Sequence, residues 1–401
     1  PGREEPTGEL QSPKISREQL RITFDADENR FRIDNVGRCP LLLNGRPTST
    51  CPWVPGALIE LRDQLVLRCE RRPALVGPDP GTRPEPFPFG GPDAAGIVGE
   101  TPEAWDVRHQ IAFCGPLDAH VLLRGPSGSG KELVARALHA RSRRARVALV
   151  SRNAATFPDS LIDAELFGHA ANYPNPGMPA RPGLIGASDG STLFLDEFGE
   201  LPENHQARLL RVLDQGEYTR LGDARSTRAD LRLIAATNRP LDVLKPDVLA
   251  RLPLRIVLPG LDARRADVPL IATHLLRGIA RDEPHLAPYL DDAGVPRWTS
   301  RLVSLLVDHP YTTHVRELEA LLWESMRRGA RDRTLDAWPE YAADLRAEEL
   351  VAPRADPKTI GPDEIRAALD RHGGRQEAAW RELGLSSRHA LGRLIRKYGL
   401  S

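Results

Sequence analysis

The stretch Val121-Leu-Leu-Arg-Gly125-Pro-Ser-Gly-Ser-Gly-Lys131-Glu decides how this chain of 401 residues folds. An apolar run typical of a buried strand leads into a glycine-rich loop, and the amphipathic pattern after Lys131 predicts a helix. Glycines let backbone N–H groups surround phosphate oxygens, and the first turn of a helix adds its positive dipole. The ammonium of Lys131 then reaches the β- and γ-phosphates as a compact point charge. We therefore predict a phosphate-binding loop in an α/β domain.

A pair of carboxylates follows a second apolar run. Thr192-Leu-Phe-Leu195 is typical of a strand and ends directly in Asp196-Glu197. In open α/β sheets, ligands bind beyond the carboxyl ends of the strands, so we expect this pair beside the glycine-rich loop. Asp196 would hold or orient a hydrated Mg²⁺, and Glu197 would polarise the attacking water. The residues predicted to hold the nucleotide are Gly125, Pro126, Ser127, Gly128, Ser129, Gly130, Lys131 and Glu132.

The rest of the chain divides into segments of different composition. Short alternating apolar runs predict a β-rich module at the start, and a Pro- and Gly-rich stretch after it predicts a linker. Apolar strands then alternate with helical stretches, the pattern of a parallel sheet covered on both faces. The expected divisions are 1–72 β-rich, 73–97 linker, 98–262 α/β, 263–343 helical, 344–358 linker and 359–401 helical. The expected elements near the site are strands Val121–Leu123, Thr192–Leu195 and Leu231–Ala235, and a helix over His314–Arg328.

Charge and hydropathy exclude some classes of protein. Lys and Arg total 55 and match the 55 Asp and Glu, which excludes nucleic-acid binding through a global positive field but leaves a local patch open. Hydrophobic residues make up 40%, as in proteins that form a core. The apolar runs are too short for a membrane-spanning helix, and we expect a cytoplasmic protein. The first residue is Pro1, so we expect the natural start to lie upstream.

Longer motifs in the α/β region carry a family resemblance. Asp163-Ala-Glu-Leu-Phe-Gly-His169 and Gly190-Ser-Thr-Leu-Phe-Leu-Asp-Glu-Phe-Gly-Glu-Leu-Pro202 accompany the phosphate loop. Together they resemble the AAA+ ATPase domain of bacterial enhancer-binding proteins, the NtrC-like activators of sigma-54 RNA polymerase, over about 98–343. That family also carries Glu after the P-loop lysine, as Glu132 does here. The resemblance implies an ATPase that uses ATP and Mg²⁺, with a helical lid at 263–343.

The resemblance also implies roles for single residues. Asn153 falls where the family restrains the catalytic Glu, and Asn238 falls at the sensor of the γ-phosphate. Arg316 falls at the second sensor, on the lid. Arg251 falls at an arginine finger, which acts on the nucleotide of a neighbouring protomer, so the implied assembly is a homo-oligomer, from a dimer to a hexameric ring. The other finger position is Lys245, which keeps the charge but lacks the planar fork of Arg.

One loop departs from the family pattern. Between His169 and Gly183 the family carries the motif GAFTGA, whose tip grips sigma-54, whereas this chain has Asn172-Tyr-Pro-Asn-Pro-Gly177. Proline fixes the backbone angle φ and stiffens such a segment. Three hypotheses therefore stay open. The first is an activator of sigma-54 RNA polymerase, and the second is an AAA+ DNA-bound regulator or remodeller with a different client. The third is a phosphopeptide- and DNA-binding scaffold that uses ATP only to assemble, without hydrolysing it.

The C-terminal segment 359–401 resembles the Fis-type helix-turn-helix that closes this family. It holds eight Lys and Arg against five Asp and Glu, an excess that favours DNA as a partner. A recognition helix places its first side chains at base edges and flanking cations at phosphates, usually in a dimer. The implied DNA-binding residues are Ser387, Arg388, His389, Arg393, Arg396 and Lys397.

The N-terminal segment resembles a forkhead-associated (FHA) domain that lacks its first strands. That fold is a β-sandwich whose loops bind phosphothreonine through charge-assisted hydrogen bonds. The matching positions, which imply a phosphothreonine protein as partner, are Arg3, Ser16, Arg17 and Asn44. Gln19 stands where the family has His, and Cys39 stands near the position of a usual Asn. A β-sandwich used for dimerisation or autoinhibition is the alternative. The fold class is thus predicted to be multidomain, with a β-sandwich, an α/β AAA+ ATPase with its lid, and an all-α helix-turn-helix.

Overall fold

A computed structural model describes residues 14–25, 30–70, 87–158, 160–338, 340–341, 361–371, 391, 394–395 and 398. The chain divides into two compact units, Pro1–Asp336 and Ala337–Ser401. The strands are β1 Leu20–Asp25, β2 Arg30–Asn35, β3 Leu41–Leu43, β4 Arg46–Thr48, β5 Thr50–Trp53, β6 Leu58–Leu61, β7 Leu65–Arg68, β8 Val121–Arg124, β9 Val150–Asn153, β10 Thr192–Asp196, β11 Glu217–Tyr218, β12 Thr227–Arg228, β13 Arg232–Thr237 and β14 Leu254–Val257. The helices are α1 Pro102–Cys114, α2 Lys131–Ala140, α3 Ile162–Phe167, α4 Gly183–Ala187, α5 Glu203–Gln215, α6 Pro246–Ala250, α7 Val268–Asp282, α8 Ser300–Asp308, α9 Val315–Arg328 and α10 Pro362–Arg371.

Strands β1 to β7 form two antiparallel sheets, in the orders β1-β2-β5 and β4-β3-β6-β7. Asn44 and Gly45 both have positive φ and turn the chain from β3 into β4, as tight hairpins require. The buried side chains that the two sheets share are Ile33, Cys39, Leu41, Cys51, Ile59 and Leu61. The predicted β-rich module is therefore confirmed as a pair of antiparallel sheets.

This β module forms hydrogen bonds with both ends of helix α8. Arg68 of β7 donates a hydrogen bond to Asp308 at 2.8 Å. At the other end, the Ser300 hydroxyl donates to Glu60 at 2.6 Å and accepts from the backbone N–H of Asp63 at 3.1 Å. The N-terminal sheet therefore contacts the helical part of the same unit through polar groups at two points.

Five parallel strands form the central sheet, in the order β14-β8-β13-β10-β9. Successive side chains of a strand point to opposite faces, so Leu193 and Leu195 pack with α3 to α6, whereas Phe194 packs with α1 and α2. Both faces are covered, which is why β13 is buried along its whole length. The predicted parallel α/β sheet is confirmed.

The strands near the site extend beyond their apolar runs. Prediction from apolar residues ends two strands at Leu195 and Ala235, whereas β10 continues to Asp196 and β13 to Thr237. Backbone pairing does not depend on side-chain polarity, and Asp196 still pairs in parallel register with Asn153 of β9. The polar residues at the strand ends therefore belong to the rigid sheet.

The described end of the predicted linker, 87–97, is packed against α1. Phe87 stacks on Trp105 with ring centroids 5.6 Å apart, and the guanidinium of Arg108 lies 4.5 Å from the Phe87 centroid. Ile97 is buried in the core on the same side of the sheet. Pro and Gly exclude regular helix and strand but do not prevent burial, so composition alone misses this packing.

Helices α7, α8 and α9 form the helical part that follows the sheet. The predicted helix His314–Arg328 corresponds to α9, which begins one residue later because His314 has φ +48. In the second unit, Ile365 of α10, Leu391 and Leu394 are buried. The described helices include none that is long and apolar enough to cross a bilayer. The predicted DNA-binding residues, all outside the described part of the chain, are Ser387, Arg388, His389, Arg393, Arg396 and Lys397.

Candidate functional site

The phosphate loop between β8 and α2 lines a cavity of about 590 Å³. Gly128 has φ +75, and a side chain there would meet the carbonyl oxygen of Thr313 at 2.1 Å, so this position requires glycine. The other walls include the acidic pair at the end of β10, the start of α9, and apolar residues before α1 such as Ile97 and Val98. Residues of α7 and of the segment between β14 and α7 also line the cavity, so segments distant in sequence surround one space.

Lys131 is the first residue of α2 and is buried. Its Nζ donates hydrogen bonds to the carbonyl oxygens of Gly125 at 3.0 Å and of Pro126 at 3.1 Å. Burial lowers the pKa of Lys131, whereas the negative charges of Glu197 and Asp196 raise it. The ammonium is thus held within the loop, where phosphate oxygens would replace the two carbonyls.

The acidic pair combines backbone strain with an unpaired buried oxygen. Glu197 has φ +48, in the left-handed region that residues other than glycine rarely adopt. Its Oε2 atom is buried and accepts no hydrogen bond from a described residue. Burial raises the pKa of Glu197, and the charge of Lys131 opposes that rise. Strain and an unsatisfied buried oxygen both cost free energy and are typical of functional positions.

Asn153 and Asn238 lie on either side of the acidic pair. Asn153 pairs in register with Asp196, but its Oδ1 accepts from the backbone N–H of Ala155 at 2.8 Å. Among the described residues, no hydrogen bond joins the Asn153 side chain to Glu197. Asn238 follows β13 with its side chain exposed, and its backbone lowers the pKa of Glu197. The Asn153 side chain instead holds its own turn, so its predicted restraint of Glu197 is not seen as a hydrogen bond among the described residues.

The start of α9 closes over the phosphate loop. Nη1 of Arg316 donates to the Ser127 hydroxyl at 2.9 Å. The backbone N–H of Val315 donates to the carbonyl oxygen of Gly128 at 3.3 Å. These bonds join the helical part to the loop and place the Arg316 guanidinium where it would face a bound phosphate.

The sequence did not single out Glu317, which holds the turn before α9. Its carboxylate accepts hydrogen bonds from the backbone N–H of Thr312 at 2.7 Å and of Thr313 at 2.9 Å, and His309 Nε2 lies 2.8 Å away. Burial alone would raise the pKa of Glu317, but these hydrogen bonds lower it to about 2. The ionised carboxylate therefore fixes the turn that leads into Arg316.

The two predicted finger positions lie outside the cavity of their own chain. Lys245 precedes α6 and Arg251 follows it. Arg251 forms an ion pair with Asp214 of α5, and the Nζ of Lys245 lies 3.6 Å from a carboxylate oxygen of Glu203. Both positively charged side chains therefore lie beside acidic partners outside the cavity.

The sequence matches known transcriptional regulators over most of its length. The family model of the sigma-54 interaction domain matches residues 97–252. The chain is 34% identical over 319 residues to the transcriptional regulatory protein ZraR of Salmonella typhimurium, an alignment that covers 75% of this chain and 68% of ZraR. The chain belongs to the sigma-54-dependent transcriptional regulators.

Further members of this family show the same likeness. The Nif-specific regulatory protein of Azotobacter vinelandii is 35% identical over 306 residues, covering 73% of this chain and 57% of that protein. The crystal structure of NtrX from Brucella abortus in complex with ATP superposes with a TM-score of 0.54 at 25% identity, covering 76% of this chain and 69% of that one. The predicted family and the predicted AAA+ fold of the α/β region are confirmed.

The loop that replaces GAFTGA in this sigma-54-dependent regulator is folded onto itself. The backbone N–H of Gly177 donates to Asn172 Oδ1, and that of Asn172 donates to the carbonyl oxygen of Met178, each at 2.8 Å. Tyr173 lies on Gly222, where φ is +74 and any side chain would meet the tyrosine ring at 2.4 Å. The segment is therefore a compact turn that packs on the loop between β11 and β12.

The N-terminal positions predicted to bind phosphopeptide already take part in the fold. Oδ1 of Asn44 accepts from a backbone N–H of β6 at 3.1 Å, and the Ser16 hydroxyl accepts from the backbone N–H of Arg38 at 3.0 Å. Arg17 is exposed, and Arg3 lies outside the described residues. Asn44 is exposed as well, whereas Ser16 is half-buried.

Gln19, which stands where the FHA family has His, joins two loops of the β module. Its Oε1 accepts from the backbone N–H of Ser16 at 3.1 Å and of Cys39 at 3.3 Å. Its Nε2 donates to Asn35 Oδ1 at 2.6 Å and to the carbonyl oxygen of Cys39 at 2.9 Å. The buried amide uses both its donor and its acceptor, so Gln19 holds these loops together without a charge.

The carboxylate of Glu317 predicts a pH-dependent contribution to stability. A carboxyl group whose pKa is lowered by folding stabilises the fold above its ordinary pKa and loses that contribution as the pH falls. We expect Glu317→Gln to lower the free energy of unfolding by about 2 kcal/mol at pH 7. The difference from the wild type should shrink between about pH 5 and pH 2.

Urea unfolding followed by circular dichroism at a series of pH values measures this difference. The matched control is Glu319→Gln on the same helix, because the structure records no hydrogen bond of Glu319 to a described residue. A destabilisation by Glu317→Gln that is the same at every pH would contradict the role of its charge.

Proposed function

We propose that this chain is an ATP-hydrolysing regulator that acts on sigma-54 RNA polymerase. The observation that carries the proposal is the buried, unpartnered Oε2 of Glu197 in a cavity that also contains Lys131 and the phosphate loop. Membership of the sigma-54-dependent regulators supports the activity. The ATP complex of NtrX supports ATP as the nucleotide.

The residues around the cavity fit a nucleoside triphosphate with its metal ion. The loop that contains Gly128 presents backbone N–H groups at the start of α2, where phosphate oxygens bind. Lys131 would contact the β- and γ-phosphates, and Arg316 would approach them from the lid. Asp196 would hold Mg²⁺, which when bound neutralises phosphate charge.

Glu197 would act as the base for the attacking water. Its burial favours the protonated form, so its pKa lies closer to neutral than that of an exposed glutamate, as general-base catalysis requires. Oε2 would accept a proton from water while the water oxygen bonds to the γ-phosphorus and the bond to the β–γ bridging oxygen breaks. The products are ADP and phosphate. The Asn238 backbone, which lowers the pKa of this carboxylate, would help to orient it.

We propose that hydrolysis requires neighbouring protomers in a ring. Arg251 lies outside its own cavity and would complete the site of the next copy, where a guanidinium stabilises transition-state charge. It must first leave Asp214, and solvent screens an exposed ion pair of this kind, so it contributes little to stability. Lys245 would supply a second positive charge without the bidentate geometry of Arg.

We also propose phosphopeptide recognition by the N-terminal module and DNA binding by the C-terminal segment. The exposed Arg17 beside Ser16 supports the first, because phosphate recognition needs an accessible guanidinium. The excess of basic residues over 359–401 supports DNA binding. Ser387, Arg388 and His389 would lie toward the bases. The cations that would lie toward the phosphates are Arg393, Arg396 and Lys397.

Two substitutions test hydrolysis directly. Glu197→Gln keeps the shape of the side chain but removes the base, so we expect ATP binding within about twofold of the wild type and turnover at least about 100-fold slower. Lys131→Ala should lose binding and turnover together. Phosphate release and binding of a fluorescent ATP analogue measure the two properties. A wild-type chain that binds ATP but shows no turnover at any concentration would support the scaffold hypothesis instead.

Turnover per protomer should rise steeply with protein concentration if Arg251 acts in trans. We expect Arg251→Ala to lose about 100-fold or more of the assembled rate, since arginine fingers contribute about 10³–10⁵. A mixture of Arg251→Ala and Glu197→Gln chains should recover activity, because an Arg251→Ala site can receive the finger of a Glu197→Gln neighbour. A rate per protomer that is constant with dilution, with no recovery in the mixture, would refute the shared site.

A second candidate function is action on a client other than sigma-54, which the compact turn in place of GAFTGA favours. If sigma-54 is the client, it should co-purify with the wild type in the presence of an ATP transition-state mimic. Tyr173→Ala should then weaken the complex by about tenfold. Phe113→Ala, which removes an exposed aromatic ring from α1, is the matched control. Failure of sigma-54 to bind while the ATPase is active would select the second candidate.

A further inference from the structure

The segment that follows α2 is rich in arginine and contains no acidic residue. Residues 133–158 hold six arginines and neither Asp nor Glu, although the whole chain has equal numbers of acidic and basic residues. Within this segment, the side chains of Arg141, Arg143 and Arg146 are exposed and form no hydrogen bond or ion pair with a described residue. We call residues 141–146 the basic loop. Like charges this close in sequence repel one another, and a bound anion would remove that repulsion.

Hydrogen bonds within the basic loop fix its backbone in successive turns. The backbone N–H of Ser142 donates to the carbonyl oxygen of His139 at 2.9 Å, and that of Val147 donates to the carbonyl oxygen of Arg144 at 3.1 Å. The Ser142 hydroxyl also donates to the carbonyl oxygen of His139 at 2.7 Å and accepts from the backbone N–H of Arg144 at 3.1 Å. The exposed arginines are therefore presented from an ordered backbone, which reduces the entropy lost on binding.

Arg144 anchors the basic loop to the sheet. Its Nε and Nη2 donate to the carboxylate oxygens of Asp118 at 2.8 and 3.0 Å, and Nη2 also donates to Asp230 Oδ1 at 2.7 Å. Its Nη1 donates to the carbonyl oxygen of Asp230 at 2.8 Å. A third aspartate, Asp189, accepts from the backbone N–H of Asp230 at 2.8 Å. These acidic groups are thus engaged elsewhere, and of the described carboxylates none pairs with the three exposed arginines.

The basic loop lies at the opposite edge of the central sheet from the nucleotide cavity. Helix α2 begins at the phosphate loop and continues for ten residues, about 15 Å, before the basic loop follows. Asp118 and Asp230, which bind Arg144, precede β8 and β13, so the loop lies beside the edge where these strands begin. The three exposed arginines do not line the cavity. An anion bound here is therefore a ligand distinct from the nucleotide.

The spacing of these charges suits the phosphate backbone of duplex DNA. A guanidinium binds phosphate oxygens through charge-assisted hydrogen bonds. Duplex DNA presents one negative charge per about 1.7 Å of its axis, so several phosphates fall within the roughly 20 Å that six residues can span at most. Protein interfaces, in contrast, are depleted of Asp and Glu. The chain belongs to a family of transcriptional regulators, so DNA is a polyanion that it meets.

We propose that the basic loop binds the phosphate backbone of duplex DNA through Arg141, Arg143 and Arg146, with Arg144 as the positioning residue. Phosphate contacts carry no sequence information, so this surface would strengthen binding to every sequence alike. It is a second DNA contact, separate from the one proposed for 359–401 and not dependent on it. Where that segment also holds the DNA, the basic loop of the same chain would bind at a raised effective concentration.

The salt dependence of DNA binding by the full-length chain tests the proposal, because each phosphate that a protein neutralises releases counterions. The probe is a labelled duplex of mixed sequence, about 30 base pairs long, and fluorescence anisotropy measures its affinity between about 50 and 200 mM KCl. The slope of log K against log salt changes by about 0.9 per phosphate contact. We expect the triple variant Arg141→Gln, Arg143→Gln, Arg146→Gln to flatten this slope by about 2 to 3 and to bind at least about tenfold more weakly at about 100 mM.

Two control variants separate a local contact from the charge of the whole chain. Arg46→Gln, Arg301→Gln and Arg331→Gln together remove the same charge from three exposed positions in other parts of the chain, and should change the slope by less than about 1. Arg→Lys changes at the three loop positions keep the charges and should leave the slope within about 1 of the wild type. Thermal melts followed by circular dichroism check that each variant folds. If the triple Gln variant does not fold, Arg143→Gln with Arg146→Gln should flatten the slope by about 1 to 2.

Three results would overturn the proposal. The first is a wild-type slope and affinity in the triple Gln variant, as expected if the basic loop binds an acidic protein surface instead. The second is an equal loss in the control variant, which would assign the effect to net charge. The third is a loss with Lys as large as with Gln. Arg393→Gln, Arg396→Gln and Lys397→Gln test the C-terminal segment separately, and unchanged binding there would refute the C-terminal proposal while leaving this test intact.

Discussion

Parallel hydrogen bonding between β8, β13, β10 and β9 brings the ends of four separate segments to one edge of a sheet. Asp196 pairs with Asn153 on one side of β10, and β13 pairs with β10 on the other side and with β8 beyond it. The phosphate loop and the acidic pair therefore start from strand ends that only β13 separates. A slip of one residue would exchange the two buried faces of a strand, which the core on each side prevents. The strained backbone of Glu197 persists because this rigid sheet holds the residue before it.

The position of the helical part depends on its contacts with the loop at that edge of the sheet. Its contacts with the phosphate loop include the Thr313 carbonyl against Gly128 and the Arg316 guanidinium on Ser127. Glu317 accepts hydrogen bonds from the turn that carries these contacts. The N-terminal β module is bonded to both ends of α8 in the same helical part. The glycine-rich loop and the N-terminal sheet are therefore connected through the same group of helices.

The elements that the sequence predicts well are those with strong local patterns. The phosphate loop, the strand before Asp196 and the helix that contains Arg316 follow from glycine spacing and apolar periodicity. The packing of 87–97 against α1 was missed because a composition rich in Pro and Gly predicts a linker and does not reveal which residues are buried. Glu317 was missed because a charged residue reveals its hydrogen-bond partners only in three dimensions.

The loop in place of GAFTGA has a thermodynamic consequence. Asn172 closes it with two hydrogen bonds, and Tyr173 fixes it on Gly222. Extension of this loop toward a partner would break those bonds at a cost of about 1 kcal/mol each. A partner that accepts the loop as folded meets a preorganised surface instead, since the chain entropy was lost on folding rather than on association. The loop therefore favours partners whose surface is complementary to its folded conformation over partners that bind it only in an extended conformation.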